Sequence, residues 1–471
     1  MKFTILSHAG LIVEHQGIQL LSDPWFTGSC YWRSWWNYPP VAEDLIQKLK
    51  PDFIYLTHIH WDHFQAPSLN KFSKDVKFIV PKGNNDRMKK DLNYLGFKNV
   101  QEIKHGQALK LGDDFSIVSY QQFFTNLDSA LIIEGGGVTL FNMNDCKLMG
   151  SPLKQVLSNH PNIDFTFCSH SSANSRQSYE VIDDSSAPVD NIEMYAENFS
   201  CFVRATGAEY AIPFASNVCL LHEESFQYNK YGQSPQEIEE YWKRNKILSP
   251  KLEVMVSGDS WSREGGFDIR HDNWFEGRDE KLIKYQKEKM EVLEKQKDLE
   301  SAVHIQLEDI QEYFSEFSQA LPFFVRYIYK NHPFVLVLKS GEKICKFLIN
   351  LNSGSVEVVA DIDDQRHPFQ IHTSAFIFKH CMDVGLFSQL GISKRARYRV
   401  TKKEMKYCQF LELLVDLYEY EVFPSKNIFK PRSLESWALR WRDIILGFCL
   451  GFEWLLTGKV NIKKHLNLTQ K

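Results

Sequence analysis

Thr57-His58-Ile59-His60-Trp61-Asp62-His63 follows the apolar run Phe53-Ile54-Tyr55-Leu56. On an extended segment, positions two apart point the same way, so His58 and His60 can reach one metal together. A strand would send Asp62 and His63 to opposite faces, so the chain must turn there. A tight loop leading into a helix can aim both at a second metal nearby. Imidazole and carboxylate are suitable ligands for zinc and for iron. The bland reading is a histidine-rich surface loop. Four ligand-type residues between positions 58 and 63, at a strand end, weigh against it.

The chain has 471 residues, room for two or three domains. A formal net charge of −4 implies no attraction to nucleic acid or membrane. The start, Met1-Lys2-Phe3-Thr4, does not read as a signal peptide. The nine cysteines are scattered, which fits reduced thiols in a cytoplasm. The apolar run Ile444 to Phe452 stops at Glu453. That is shorter than the roughly 20 residues a span needs, so an amphipathic or buried helix is expected. Cys168-x-His170 and Cys219-x-x-His222 mimic the pairs of a Rieske iron–sulfur site, but no glycine-rich loop surrounds the first pair.

Outward from the motif, strands are expected at Phe3–Leu6, Leu11–Glu14 and Ile18–Leu21, the third ending in Ser22-Asp23-Pro24-Trp25. His8 sits in the turn Ser7-His8-Ala9-Gly10. The aromatic stretch Tyr31-Trp32-Arg33-Ser34-Trp35-Trp36 reads either as a substrate lid or as a satellite core under a loop. In the lid, Trp35 and Trp36 would stack on substrate and Arg33 would take a phosphate or carboxylate. Helices at 41–49, 66–73 and 85–94 alternate with strands at 77–80, 100–103, 109–111, 115–120, 129–134 and 138–142. This order fits an α/β fold, an αββα sandwich.

The H-x-H-x-D-H run resembles the signature of the metallo-β-lactamase superfamily. The resemblance implies His58 and His60 on one metal, and Asp62, His63 and His222 on the other. Asp145, after strand Val138–Asn142, would bridge them, with Asp62 and His63 as the catalytic pair. His170 competes with His222 for the last ligand. Asp23 would orient a bound histidine from behind, and His8 would stand near the site mouth. The pattern also places a histidine between His63 and Asp145, and Gln121 to Asp128 contains none. Asp128, Gln121, Gln122 or Asn126 could supply an oxygen instead, or the position stays open.

Beyond the motif the chain is similar to the part of the CMP-N-acetylneuraminate hydroxylase family that follows its Rieske domain. Ser22-Asp23-Pro24-Trp25-Phe26, Leu127-Asp128-Ser129, Asn144-Asp145-Cys146 and Pro213-Phe214-Ala215 carry the resemblance. It implies two divalent metal ions, iron favoured and zinc or manganese as alternatives, with dioxygen and a separate electron donor. No Rieske domain is expected ahead of residue 1.

The expected domains are 1–277, a metal-binding catalytic domain; 278–302, a charged, solvated connector helix; and 303–471, an α+β domain resembling the sterol-carrier-like fold. That last part combines an antiparallel sheet with helices at 305–319, 373–383, 403–417 and 434–456, and suits packing or homo-oligomer contact. Three functions follow. The first is an oxygen-dependent hydroxylase (monooxygenase) of a sugar-derived or other polar small molecule. The second is a hydrolase of a lactone, ester or phosphodiester using metal-bound hydroxide. The third is a scaffold, which two adjacent half-sites argue against, since structural metal is held by four closed ligands.

Overall fold

The computed structural model describes residues 1–122, 128–171, 173–184, 191–270, 272–457 and 460–466. Two sheets face one another. The first has eight strands, in the order Gly266–Asp268, Ser260–Ser262, Lys2–Ile5, Leu11–His15, Ile18–Ser22, Phe53–Tyr55, Lys77–Pro81, Val100–Ile103. The second has seven, in the order Lys251–Leu252, Tyr210–Phe214, Phe165–Ser169, Val138–Asn144, Ser129–Gly135, Phe115–Gln121, Ala108–Gly112. The alternating apolar positions predict this burial. Phe3, Leu11, Val13, Leu20 and Tyr55 of the first sheet meet Ile117, Leu131, Ile133, Leu140 and Phe165 of the second in one core.

Helices cover both outer faces. Met88 and Leu92 of Arg87–Tyr94 lie against Ile54 and Phe78, and Leu153, Phe199 and Phe202 close the other side. The result is the αββα layering expected. Helix Arg87–Tyr94 ends as its glycine predicts: Gly96 takes a φ of 92° and donates to the Asn93 carbonyl at 2.9 Å.

The later part departs from expectation in two ways. Residues 278–302 form two helices, Arg278–Glu288 and Met290–Ser301, rather than one solvated helix. Leu282 and Leu293 are buried beside Trp36, Tyr38 and Leu221, so one face of the segment is core. The following sheet is mixed rather than antiparallel. Phe334–Ser340, Lys343–Asn350 and Ser355–Val358 make the expected meander. Phe369–Ser374 then returns to the free edge of Phe334–Ser340 and pairs with it in parallel. Tyr179–Val181 adds a sixth strand, parallel to Arg397–Val400.

Helix Lys402–Glu419 packs on this sheet through Cys408, Leu411 and Leu414. Its buried last residue, Glu419, accepts the backbone N–H groups of Phe387 and Ser388. Burial pushes its carboxyl up from 4.5 to about 7. The folded form therefore holds the proton more tightly than the unfolded form. The stability this lends is full below about pH 4.5 and is lost as pH rises through about 7. Glu419→Gln should flatten that slope. Melting curves at pH 5 and pH 8 should differ less in the variant, by roughly 2–3 kcal/mol. Parallel pH profiles for the two proteins would contradict this.

Candidate metal centre

The motif leaves the first sheet at Tyr55 and turns where expected: His63 and Phe64 donate their N–H groups to the His60 carbonyl at 3.0 and 2.7 Å. Asp23, at the end of the neighbouring strand, organises the loop from beneath. Its Oδ1 accepts the Thr57 N–H at 2.8 Å and its Oδ2 accepts the Thr57 hydroxyl at 2.6 Å. Oδ2 also lies 2.9 Å from His63 Nδ1 and accepts from Asn144 Nδ2 at 2.6 Å. Asp23 and Asn144 both take positive φ, 43° and 51°, a conformation that costs side-chain-bearing residues energy and is sustained by these bonds.

These bonds assign tautomers. His63 donates Nδ1–H to Asp23, which turns Nε2 towards Asp62 Oδ2 and Asp145 Oδ2, each 3.3 Å away. Thr57 gives its proton to Asp23, so His58 Nδ1, 3.0 Å from that hydroxyl, is the donor and its Nε2 is bare. That Nε2 lies 2.9 Å from His60 Nδ1. Two triads of ligand atoms result, His58–His63–Asp145 and His8–Asp62–His63.

The donor set fits a cation. Burial disfavours charge on His58 and His60, and each is pushed down to about 4, leaving neutral imidazoles. Burial also opposes a charge on His63, yet Asp62, Asp145 and Asp23 raise it well above the ordinary range. Against the same burial, His63 and His8 hold Asp62 well below the usual carboxylate range. Buried Nδ1 of His8 has no hydrogen-bond partner, and Nε2 of His63 meets the Asp62 and Asp145 carboxylates only at 3.3 Å. Such a concentration of buried carboxylate and unpartnered imidazole is what a metal pair would satisfy.

The structure thus brings His58, His60, Asp62, His63 and Asp145 together over Asp23. It moves His8 inward from the site mouth, because its Nε2 lies 3.0 Å from Asp62 Oδ2. Sequence reasoning missed Tyr31, whose hydroxyl donates to Asp62 Oδ1. No local pattern singles it out from the other aromatics of its loop.

His222 is not brought into either triad. Its Nδ1 accepts the Glu224 N–H at 3.3 Å, and burial, with Arg395 and Lys297 nearby, pushes it down to about 3. His170 is fully buried, has both ring nitrogens without a hydrogen-bond partner, and feels the charge of His8. Neither competitor joins a triad. Asp128 acts on His60 and raises it against burial. Gln122 is engaged by the Met149 N–H at 2.5 Å, and Asn126 lies outside the described residues. Cys168 and Cys219 belong to separate cores, and no cysteine joins a ligand group among the described residues.

The aromatic stretch is buried rather than lid-like. Trp35 donates to the Ile392 carbonyl at 3.1 Å, and Trp32 Nε1 lies 2.9 Å from His380 Nδ1. Trp36 turns to Tyr285, and Arg33 bonds Ser29 at 3.2 Å. Trp35 alone of these three lines the cavity over the carboxylates. That cavity, about 870 Å³, runs from Asp62 and Asp145 past Lys147, Arg176, Arg278 and Gln233.

Comparison with known proteins agrees with the layering and the motif. Residues 19–214 match the beta-lactamase superfamily domain. A Mycobacterium tuberculosis protein named as a Rieske 2Fe-2S iron-sulfur protein is 27% identical over 253 residues, 50% of this chain and 48% of that one. The cytidine monophosphate-N-acetylneuraminic acid hydroxylase of Mus musculus is 27% identical over 155 residues, 31% of this chain and 26% of its own length. The chain therefore spans half or less of the length of these curated relatives. Among solved structures, the isothiocyanate hydrolase from Delia radicum gut bacteria aligns with a TM-score of 0.42 at 15% identity, over 56% of this chain and 99% of that one. Residues 19–214, which hold the His58-x-His60-x-Asp62-His63 run, are thus similar to the beta-lactamase superfamily domain.

Proposed function

We propose that the protein is a dinuclear-metal oxygenase that hydroxylates a polar, anionic small molecule, sugar-derived or similar. The observation that carries this reading is the ligand set. The stretch Gln121 to Asp128, where the superfamily pattern places a further histidine, carries none, while Asp62 and Asp145 supply oxygen beside His58, His60 and His63. An oxygen-rich set with an open position suits iron better than a closed zinc site. The mouse relative's name, a hydroxylase, supports the same direction.

A bound iron pair would supply the activation of dioxygen, with electrons from a separate donor. The chain's own residues do the rest. Asp23 fixes the orientation of His63, and His8 and Tyr31 hold Asp62 in place. Trp35 walls the carboxylates on the cavity side. Lys147, Arg176 and Arg278 suit a carboxylate or phosphate, and Ser169, Ser216 and Gln233 suit hydroxyl groups. Hydrolysis is the second reading. It is favoured by Asp62 and Asp145 on the cavity wall, where a bound metal would lower the pKa of a water and so supply hydroxide.

Elemental analysis with Mössbauer spectroscopy, on protein produced in iron-supplemented medium, separates the two. Two irons per chain that are reduced and then reoxidised by air support the oxygenase. Zinc or manganese with no response to dioxygen overturns it, and a panel of lactones and phosphodiesters then tests the hydrolase.

A further inference from the structure

Helix Pro431–Thr457 has 27 residues and one non-helical residue, Arg440, where φ is −121°. One side of it is core. Leu450 is buried with Leu153 and Val156, and Leu446 packs so closely on Gly150 that a Cβ there would come within 2.6 Å. The opposite side is largely exposed to solvent. Leu434 is 48% exposed, Trp441 54%, Ile445 53%, Phe448 68%, Phe452 63% and Leu456 70%. Beyond the break at Arg440, the spacing of Trp441, Ile445, Phe448, Phe452 and Leu456 sets them on one face, a stripe about 22 Å long at about 1.5 Å per residue. Solvated helices carry charge on such a face, and an apolar area this continuous marks an interaction surface.

The charges around the stripe indicate what covers it. Each acid of the helix is already taken. Glu435 bonds Lys82 and Lys104, both at 2.6 Å, Asp443 bonds Arg440 at 2.6 Å, and Glu453 lies 2.7 Å from His465. Lys426 before the helix, exposed Arg442 within it and Lys464 after it have no ion pair among the described residues. Phe429, 72% exposed, sits between Lys426 and Lys430. The surface is therefore apolar with unmatched positive charge, although the whole chain has a net charge of −4.

We propose that this helix lies flat in the surface of an anionic membrane, with Trp441, Phe448, Phe452 and Leu456 in the acyl boundary and Lys426, Arg442 and Lys464 towards lipid phosphates. Amphipathic helices with aromatic and leucine contacts bind in this way, and nearby Lys and Arg strengthen the attraction to anionic lipid. The helix does not cross: no described helix is long and apolar enough to span a bilayer. A second copy of the chain is a poorer occupant. Two copies would bring the same unmatched cations to one interface, whereas anionic headgroups supply the missing counter-charge. The same helix walls the catalytic cavity through Trp454, so docking would hold that cavity next to the lipid surface.

Cys449, exposed on this helix, offers a natural probe. The full chain carrying Cys345→Ser, labelled at Cys449 with an environment-sensitive fluorophore, should brighten and shift to the blue on adding phosphatidylglycerol vesicles. It should respond less to phosphatidylcholine alone, and added salt should weaken the response. Phe452→Ser with Leu456→Ser should reduce co-flotation with anionic vesicles by about tenfold or more. The melting temperature should hold, since both side chains are exposed. An unchanged label signal in anionic vesicles overturns the proposal. So does undiminished flotation of the double variant. A vesicle-independent dimer that shields Cys449 would overturn it in favour of a second copy.

Discussion

His58→Ala and Asp145→Ala each remove bound metal and abolish turnover. His58 Nε2 and the Asp145 carboxylate belong to one triad with His63, and loss of either leaves two ligands where three converged. Metal content should fall to half or to nothing, and activity by on the order of 10³-fold or more, since the metal itself supplies the reactive species. Asp23→Ala should give a graded result. It touches no metal, but it fixes Nδ1 of His63 and the loop at Thr57. Removal of such an outer partner costs about 10–100-fold in metal affinity. Metal titration of the three variants by calorimetry, beside activity, separates ligation from orientation. Unchanged metal content in both His58→Ala and Asp145→Ala would refute the assignment.

Arg395→Ala should be the most destabilising single change away from the metal centre. Arg395 is 3% exposed and carries three contacts on one guanidinium. Nε donates to Glu224 at 2.8 Å, Nη2 to Glu300 at 2.8 Å and Nη1 to the Trp32 carbonyl at 2.9 Å. These tie the aromatic stretch, the turn after His222 and helix Met290–Ser301 to the C-terminal sheet. Removing the cation leaves buried Glu300 with Gln296 as its remaining partner. Breaking a buried pair from one side costs about 3–5 kcal/mol. Scanning calorimetry should show the melting temperature falling, with Arg395→Lys recovering only part because one ammonium cannot replace the fork. Metal content per folded chain should be unaffected. A melting temperature within a degree or so of the parent would show that the network contributes little to stability.

What was legible in the sequence is what neighbouring residues determine among themselves. The alternation of apolar residues from Phe3 to Leu21 and from Phe115 to Asn142 foretold strands buried on one side, and the chain order foretold helices on both outer faces. The ligands of the motif were legible because their geometry is local, a strand end followed by a tight turn. The absence of a histidine from Gln121 to Asp128, where the pattern places one, was equally plain, since it needs only the chain order.

Tertiary packing decided the rest, because those outcomes depend on residues far apart in sequence. His8 meets Asp62 across 54 positions and Tyr31 meets it across 31. Nothing within a few residues of either announces it. His222 and His170 follow comparable strands, and the sequence favours His222, which the fold keeps out of both triads: the turn that carries it is tied to Arg395 through Glu224. The aromatic stretch is core because residues 380–395 cover it, and a covering element more than 340 positions away leaves no trace in the local pattern. Local sterics and periodicity set the elements and the motif. Which of several histidines, tyrosines and tryptophans reached the site was decided by how the sheets, and the later half of the chain, packed around it.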